Sequence, residues 1–266
     1  MNIQTVKLVY FSPTGTTKAI IQSIAHGMNH STVEHIDITN PNARKQPLQT
    51  SENDLLVVAV PVYAGRVPSI LTPWLNSIKS HATPAVCVVV YGNRDYDDAL
   101  LELKGIMIKS GCKPIACAAF IGEHSFSGPE TPIAVARPDT IDLNSAESFG
   151  HKINEKLQAL SSIDNVSNIA VPGHYPYRSD LKTWIVDFVE TSDECSQCGL
   201  CAKECPAGAI DLENSSLVDK GKCILCCACI KHCPQNAKTM KPGLVKDAAI
   251  RLSNNCKERK EPVFFF

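Results

Sequence analysis

Two stretches of this 266-residue chain carry the same cysteine spacing, and no other feature limits its fold so tightly. Cys195, Cys198, Cys201 and Cys205-Pro206 form one C-x2-C-x2-C-x3-C-P run; Cys223, Cys226, Cys229 and Cys233-Pro234 form the other, 28 residues on. The repeat extends past the cysteines, since CSQCGLCAKECPAGAI (195–210) matches CILCCACIKHCPQNAK (223–238). Of 13 cysteines, nine fall between Cys195 and Cys233, Cys227 included; the others are Cys87, Cys112, Cys117 and Cys256. A secreted disulfide scaffold spreads its cysteines through the fold. A thiol-dense appendage on a nearly thiol-free body reads instead as metal binding.

Zinc sites pair a CxxC with a second CxxC or with histidines, four ligands per ion. Two complete four-cysteine runs, each closed by Cys-Pro, fit two [4Fe-4S] clusters better, because each cubane needs four thiolates. Two-residue spacers let three cysteines wrap one corner, and the fourth cannot turn back and ligates the other cluster. The spacing therefore predicts a first cluster on Cys195, Cys198, Cys201 and Cys233, and a second on Cys223, Cys226, Cys229 and Cys205. For Cys227 two readings stay open: exchange with Cys226 as a ligand, or a small side chain packed near the cluster. Cys87 and Cys117 read as core, Cys112 and Cys256 as incidental, and His232 as a surface residue.

Residues 1–160 have a different texture. Asp54–Val60 (DLLVVAV) and Pro84–Tyr91 (PAVCVVVY) are continuous β-branched runs, the mark of strands covered on both faces of a parallel sheet. Thr5–Phe11, Thr32–Ile38 and Lys113–Ile121 complete five strands. Helices are expected over Thr16–Met28, Ser69–Lys79, Asp95–Ser110 and Leu143–Leu160, so the alternation implies a doubly wound α/β domain. Residues 161–190 read as a linker with a short helix at Leu181–Phe188, long enough when extended to reach about 100 Å. The cysteine module spans 191–242. The tail, 243–266, starts as a helix and ends in Val263-Phe264-Phe265-Phe266, which calls for an apolar docking place.

Charge excludes one class of partner. Lys+Arg number 26 against 27 Asp+Glu, whereas binding by phosphate neutralisation needs a basic excess, so nucleic acid is not expected. The longest apolar runs are strand-sized, so no membrane span is expected, and no signal peptide is evident at the N-terminus; a cytoplasmic protein is the expectation.

Three loops carry the remaining chemistry. Ser12-Pro13-Thr14-Gly15-Thr16-Thr17 leads from the first strand into a helix, and backbone amides there, with hydroxyls around them, make a cup for a phosphate. It has neither the nucleoside-triphosphatase nor the dinucleotide glycine spacing; the plainer reading is a Ser/Thr helix cap. Pro61-Val62-Tyr63-Ala64-Gly65-Arg66 follows the third strand, and Tyr91-Gly92-Asn93-Arg94-Asp95-Tyr96 the fourth. Gly122-Glu123-His124-Ser125 follows the fifth at the same sheet end, with His124 read as a loop histidine in preference to an acid. Asp95, Asp97 and Asp98 read as helix-opening charges, and Arg137-Pro138-Asp139 as part of a structural salt bridge.

The hydroxyl loop and the two loops after it resemble the flavodoxin family over residues 3–160, and the cysteine module resembles the bacterial-type two-cluster ferredoxins. Together they resemble flavodoxin–ferredoxin fusion electron carriers of anaerobes. The resemblance implies a five-stranded parallel sheet of order 2-1-3-4-5 followed by a small α+β 2[4Fe-4S] domain. It also implies FMN, with Ser12, Thr14, Gly15, Thr16 and Thr17 on its phosphate and Val62, Tyr63, Ala64, Gly65 and Arg66 bordering the ring. Tyr91, Gly92, Asn93, Arg94 and Tyr96 would cover the other side, with Tyr63 and Tyr96 as candidate flanking aromatics. The implied function is electron transfer between two clusters and FMN within one chain, with ferredoxin-type redox proteins as partners and the oligomeric state open. The alternative is an FMN-dependent reductase of a small organic acceptor, a quinone or nitro compound, wired by the clusters.

Overall fold

The structure, a computed structural model, describes residues 1–178 and 185–266. Its main sheet is built from β1 (Thr5–Tyr10), β2 (Val33–Asp37), β3 (Asp54–Pro61), β4 (Pro84–Tyr91) and β5 (Lys113–Ile121), all parallel, in the order β2-β1-β3-β4-β5. This is the order that the family resemblance implies. Every residue of β4 is buried, as its unbroken apolar run demands of a strand covered on both faces. Helices α1 (Thr16–Met28), α2 (Thr72–Leu75), α3 (Ala99–Lys109) and α4 (Thr140–Ala159) supply the covers. On one face Ile20, Ile21, Ile24, Phe149 and Ile153 meet β-strand side chains; on the other Trp74, Leu100, Leu103 and Met107 do. Each such side chain contributes roughly 1.5–3 kcal/mol by leaving water. Helices α1 and α4 touch backbone to backbone, because a Cβ on Gly27 would fall 1.9 Å from the Glu147 carbonyl oxygen.

Helix boundaries depart from the sequence expectation where side chains intervene. No helix spans 69–79. A 3-10 turn at Ser69–Leu71 leads into the four-residue α2, with Pro73 in its first turn. A longer helix would place Pro73 inside, where it lacks the N–H and clashes with the preceding turn. The chain then extends, and Lys79–Ser80 pairs with Gln49–Thr50. Helix α3 starts at Ala99 instead of Asp95, because Asp97 has a φ of 41° and Asp98 turns its carboxylate elsewhere. Helix α4 starts earlier than expected, at Thr140, under a capping box between Asp139 and Asp142. Arg137 pairs with the fully buried Asp142, the structural bridge expected there.

The linker does not float. Ile169 is buried in the α3 layer, Lys104 Nζ donates to Asn168 Oδ1 (3.1 Å) and the Ile169 carbonyl (2.6 Å), and Asp98 accepts the His174 and Arg178 N–H groups. The helix expected at 181–188 lies partly outside the described residues; 185–188 are not helical.

Beyond it, β6 (Val189–Thr191) pairs antiparallel with β7 (Lys238–Met240), enclosing helices α5 (Leu200–Lys203) and α6 (Ala228–Lys231). Helix α7 (Leu244–Asn255) and strand β8 (Val263–Phe265) return to the first domain, where β8 adds antiparallel to β5 as a sixth strand. The aromatic tail thus has its docking place: Phe264 stacks on Phe149 at 4.9 Å, and Phe266 lies 5.4 Å from the same ring. Each such pair adds about 0.5–1.5 kcal/mol beyond burial, and the strand covers a sheet edge that would otherwise stay open. No helix among the described residues is long and apolar enough to cross a membrane.

Candidate functional site

The carboxyl ends of β1, β3, β4 and β5 open into a cleft of ≈ 650 Å³, within the range of small-molecule and cofactor sites. Of the residues that the sequence singles out, Ser12, Thr14, Thr16, Thr17, Val62, Tyr63, Ala64, Gly65, Tyr91, Gly92 and Arg94 line it. Gly15, Arg66, Asn93 and Tyr96 do not.

At the β1–α1 junction Gly15 caps the helix with φ 88° and contributes no side-chain hydrogen bond, and no acidic residue occupies the first turn. Ser12 Oγ accepts the Lys18 N–H at 2.9 Å. The Thr17 hydroxyl is buried and has no hydrogen-bond partner. A buried orphan hydroxyl costs free energy, and here it stands beside a helix N-terminus that favours anions. The loop therefore fits the phosphate of FMN.

After β3, Tyr63 and Arg66 exchange backbone hydrogen bonds of 3.0 Å around Ala64 (φ 51°) and Gly65 (φ 77°). Two consecutive left-handed residues close the tight turn, and a Cβ on Gly65 would lie 2.3 Å from Asp97 Oδ2. Arg66 points away from the cleft, holding Glu102 through two 2.8 Å contacts and lying 4.2 Å over the Tyr177 ring. Asn93, expected to meet a ligand, instead donates to the Cys256 and Glu258 carbonyls at 2.8 Å each. The tail takes its amide. Tyr96 packs on Tyr91 at 5.5 Å, and burial pushes the Tyr91 phenol up to about 12.

Four further contributions line the cleft, the first of them His124, which the sequence places at this sheet end and reads as a loop histidine. His124 lines the cleft with its ring against Gly92, where a Cβ would lie 2.2 Å from His124 Cδ2. Its Nδ1 accepts the Phe126 N–H at 3.0 Å, so the neutral ring carries its proton on Nε2. Burial, with Lys231 and Arg94 adding to it, lowers its pKa to about 4. Between that value and the ordinary 6.5 the unfolded chain binds a proton that the folded one does not, so stability rises with pH there. Unfolding midpoints in urea should fall as pH drops from 6.5 towards 4, and His124→Gln should flatten that fall; an unchanged slope would contradict the buried neutral ring.

The other three are Ile224 and Leu225 from the second cysteine run, Cys256, and the α7 face of Ala248, Arg251, Leu252 and Asn255. These four sit at i, i+3, i+4 and i+7 on one face of α7, yet Arg251 and Asn255 are polar and exposed, so no apolar period marks that face in the sequence.

The cysteine module is a structural repeat. Gln197 and Leu225, Gly199 and Cys227, and Gly208 and Asn236 are all left-handed, each pair 28 residues apart. Ala209 N–H approaches Cys205 Sγ at 3.2 Å and Ala237 N–H approaches Cys233 Sγ at 3.3 Å. Cys227 occupies the helix-cap position that Gly199 fills in the first run, buried among Phe188, Val189 and Val245. Of the two readings, packing matches that environment. His232 is half-buried and pairs with Glu204 at 2.7 Å.

A small cavity brings Cys205 from the first run together with Cys223, Cys226 and Cys229 from the second. Burial pushes the Cys229 thiol up to about 12 and the Cys226 thiol higher, and Cys205 is among the neighbouring sulfurs that add to both shifts. No cysteine is in a disulfide. Four free thiols around this cavity, one of them crossing from the first run, suit the four-thiolate ligation of a [4Fe-4S] cluster. The two sites share a wall. Ile224 lines both, Leu225 beside it lines the cleft, and the Tyr63 phenol of the cleft, raised by burial, also feels the Cys226 and Cys227 sulfurs.

Comparison with known proteins agrees with both halves. The model of the flavodoxin domain matches residues 7–124, and that of the 4Fe-4S binding domain matches 189–211 and 217–239. No curated protein matches the chain. Among solved structures, a flavodoxin from the domain Archaea is 16% identical over 58% of this chain and 99% of its own, with a TM-score of 0.39. Megasphaera elsdenii flavodoxin is 16% identical over 55% and 98%, at 0.37. Rubredoxin oxygen:oxidoreductase from Desulfovibrio gigas is 12% identical over 59% and 37%, at 0.39. The chain is a flavodoxin domain joined to a 4Fe-4S binding domain, an electron-transfer flavo-iron–sulfur protein.

Proposed function

We propose that the chain passes electrons between two [4Fe-4S] clusters and FMN held in one polypeptide, joining one-electron to two-electron redox partners. FMN takes up one or two electrons and each cluster one. The division of labour follows the domain limits, with FMN in 1–160 and the clusters in 191–242. Cys195, Cys198, Cys201 and Cys233 hold the first cluster, and Cys223, Cys226, Cys229 and Cys205 the second. The shared wall carries the reading: Ile224 and Leu225, between two ligands of the second cluster, also border the flavin cleft. Small redox proteins of ferredoxin type are the partners this arrangement suits, exchanging electrons at the first cluster, where Cys198 is exposed.

Anaerobic reductive titration tests the complement. The purified protein should take up about four electron equivalents per chain, two at FMN and one at each cluster, with about eight irons; two equivalents and no iron would refute the reading. A second reading, reduction of a small organic acceptor at the cleft, draws support from the Nε2–H donor of His124. Steady turnover with quinones or nitro compounds would favour it, and exchange with redox proteins alone would exclude it.

A further inference from the structure

Two side chains of the flavodoxin domain reach across to the cluster domain, and both grip backbone or side chain next to a ligand of the second cluster. Arg44 Nη2 donates to the carbonyl of Pro206, which follows Cys205, at 2.6 Å. The same guanidinium is anchored on its own side by the Ile38 and Thr39 carbonyls and lies 5.7 Å over the Phe11 ring. On the opposite flank, Lys231, between Cys229 and Cys233, pairs with Glu123 at 2.7 Å and also donates to the Ser127 carbonyl at 3.2 Å. That pair is mostly withdrawn from water, at 22% and 26% exposure. Burial alone would raise the Glu123 carboxyl, yet the Lys231 hydrogen bond holds it below its ordinary value. Between the two grips Ile224 and Leu225 press on the flavin cleft.

We propose that Arg44 and the Lys231–Glu123 pair form a two-point clamp that seats the second cluster against the flavin cleft, as positioning residues for transfer between them. The proposal rests on the reading that FMN and the clusters exchange electrons. The apolar contacts between the domains, Ile224 on the first domain's core and Phe126 on the second's, are non-directional and do not by themselves fix the small domain's orientation. A grip on each half of the cysteine repeat removes that freedom, because Pro206 belongs to the first run and Lys231 to the second. Each step moves one electron from the reduced cluster to FMN. In the test dithionite replaces the electron, and water supplies the protons of the reduced flavin.

The loaded protein is mixed with dithionite under anaerobic conditions, and the rate of flavin reduction after cluster bleaching is compared among wild type, Arg44→Met, Lys231→Met and Lys231→Arg. The observed rate scales with the docked population, so each Met variant should slow it by roughly tenfold. Lys231→Arg keeps the pair and should stay near wild type. Iron, FMN content and the reduction potentials of all cofactors should be unchanged, which a merely structural role would not allow. Arg44→Met is the arm that stays informative if Lys231→Met fails to assemble, since Arg44 lies outside the cluster domain. Rates within about twofold of wild type in Arg44→Met, equivalent to no change in docking, would overturn the clamp, as would loss of iron or flavin from that variant. Absence of transfer in the wild type would instead remove the reading on which the clamp rests.

Discussion

Cys205→Ala is expected to remove the second cluster, although Cys205 belongs to the first cysteine run. Iron should fall from about eight to about four per chain. The residual spectrum should match that of Cys226→Ala, and Cys198→Ala should leave the complementary one. The reason lies in the packing. Helix α5 carries Cys201 and ends at Lys203, and Cys205 then faces the cavity that Cys223, Cys226 and Cys229 line. Because the metal couples to folding, the variant should also unfold its small domain at lower urea than wild type, while the flavodoxin domain, with its own two core layers, should not move. Agreement of Cys205→Ala with Cys198→Ala would contradict the crossed assignment.

Thr17→Val should push two quantities in opposite directions. The Thr17 hydroxyl is buried without a partner, so an isosteric methyl relieves the flavin-free protein of about 1–3 kcal/mol. With FMN bound, the same change deletes a hydrogen bond to a charged phosphate, worth roughly 1.5–3 kcal/mol, so affinity should weaken by about tenfold to a hundredfold. Urea unfolding of the flavin-stripped protein and fluorescence titration with FMN measure the two effects. Unchanged FMN affinity would show that the loop is only a helix cap.

What could be read from the residues, and what could not, follows from the range of the interactions involved. The parallel sheet was legible because β3 and β4 must be apolar on both faces, a local property of DLLVVAV and PAVCVVVY. The cysteine runs were legible because ligand geometry is written in short spacings. Pro73 overrode the helical pattern over 69–79, a local signal that the apolar spacing had masked. Cys227 was half legible: aligning the two runs places it opposite Gly199, and a glycine there marks a left-handed position.

Long-range pairing was not legible. Asn93 looked like a ligand amide because it sits in a cleft loop, yet the carbonyls of Cys256 and Glu258 claim it. The cleft-facing side of α7 mixes Ala248 and Leu252 with the polar, exposed Arg251 and Asn255, so nothing in the sequence could assign it to the cleft. The final phenylalanines advertised a docking need, and only the fold shows that β5 supplies the edge and Phe149 the ring. Charge told a similar story. The near balance of acids and bases hides Lys231, whose acidic partner Glu123 lies in the other domain.

The central claim is that the second cluster and the flavin site are neighbours in one chain and exchange electrons directly. Anaerobic stopped-flow reduction by dithionite, followed at cluster and flavin wavelengths over a range of protein concentrations, tests it most directly. The account predicts that cluster bleaching comes first and that flavin reduction follows with a first-order rate independent of protein concentration. Flavin reduction that scales with protein concentration, or clusters and flavin that reduce independently, would contradict it.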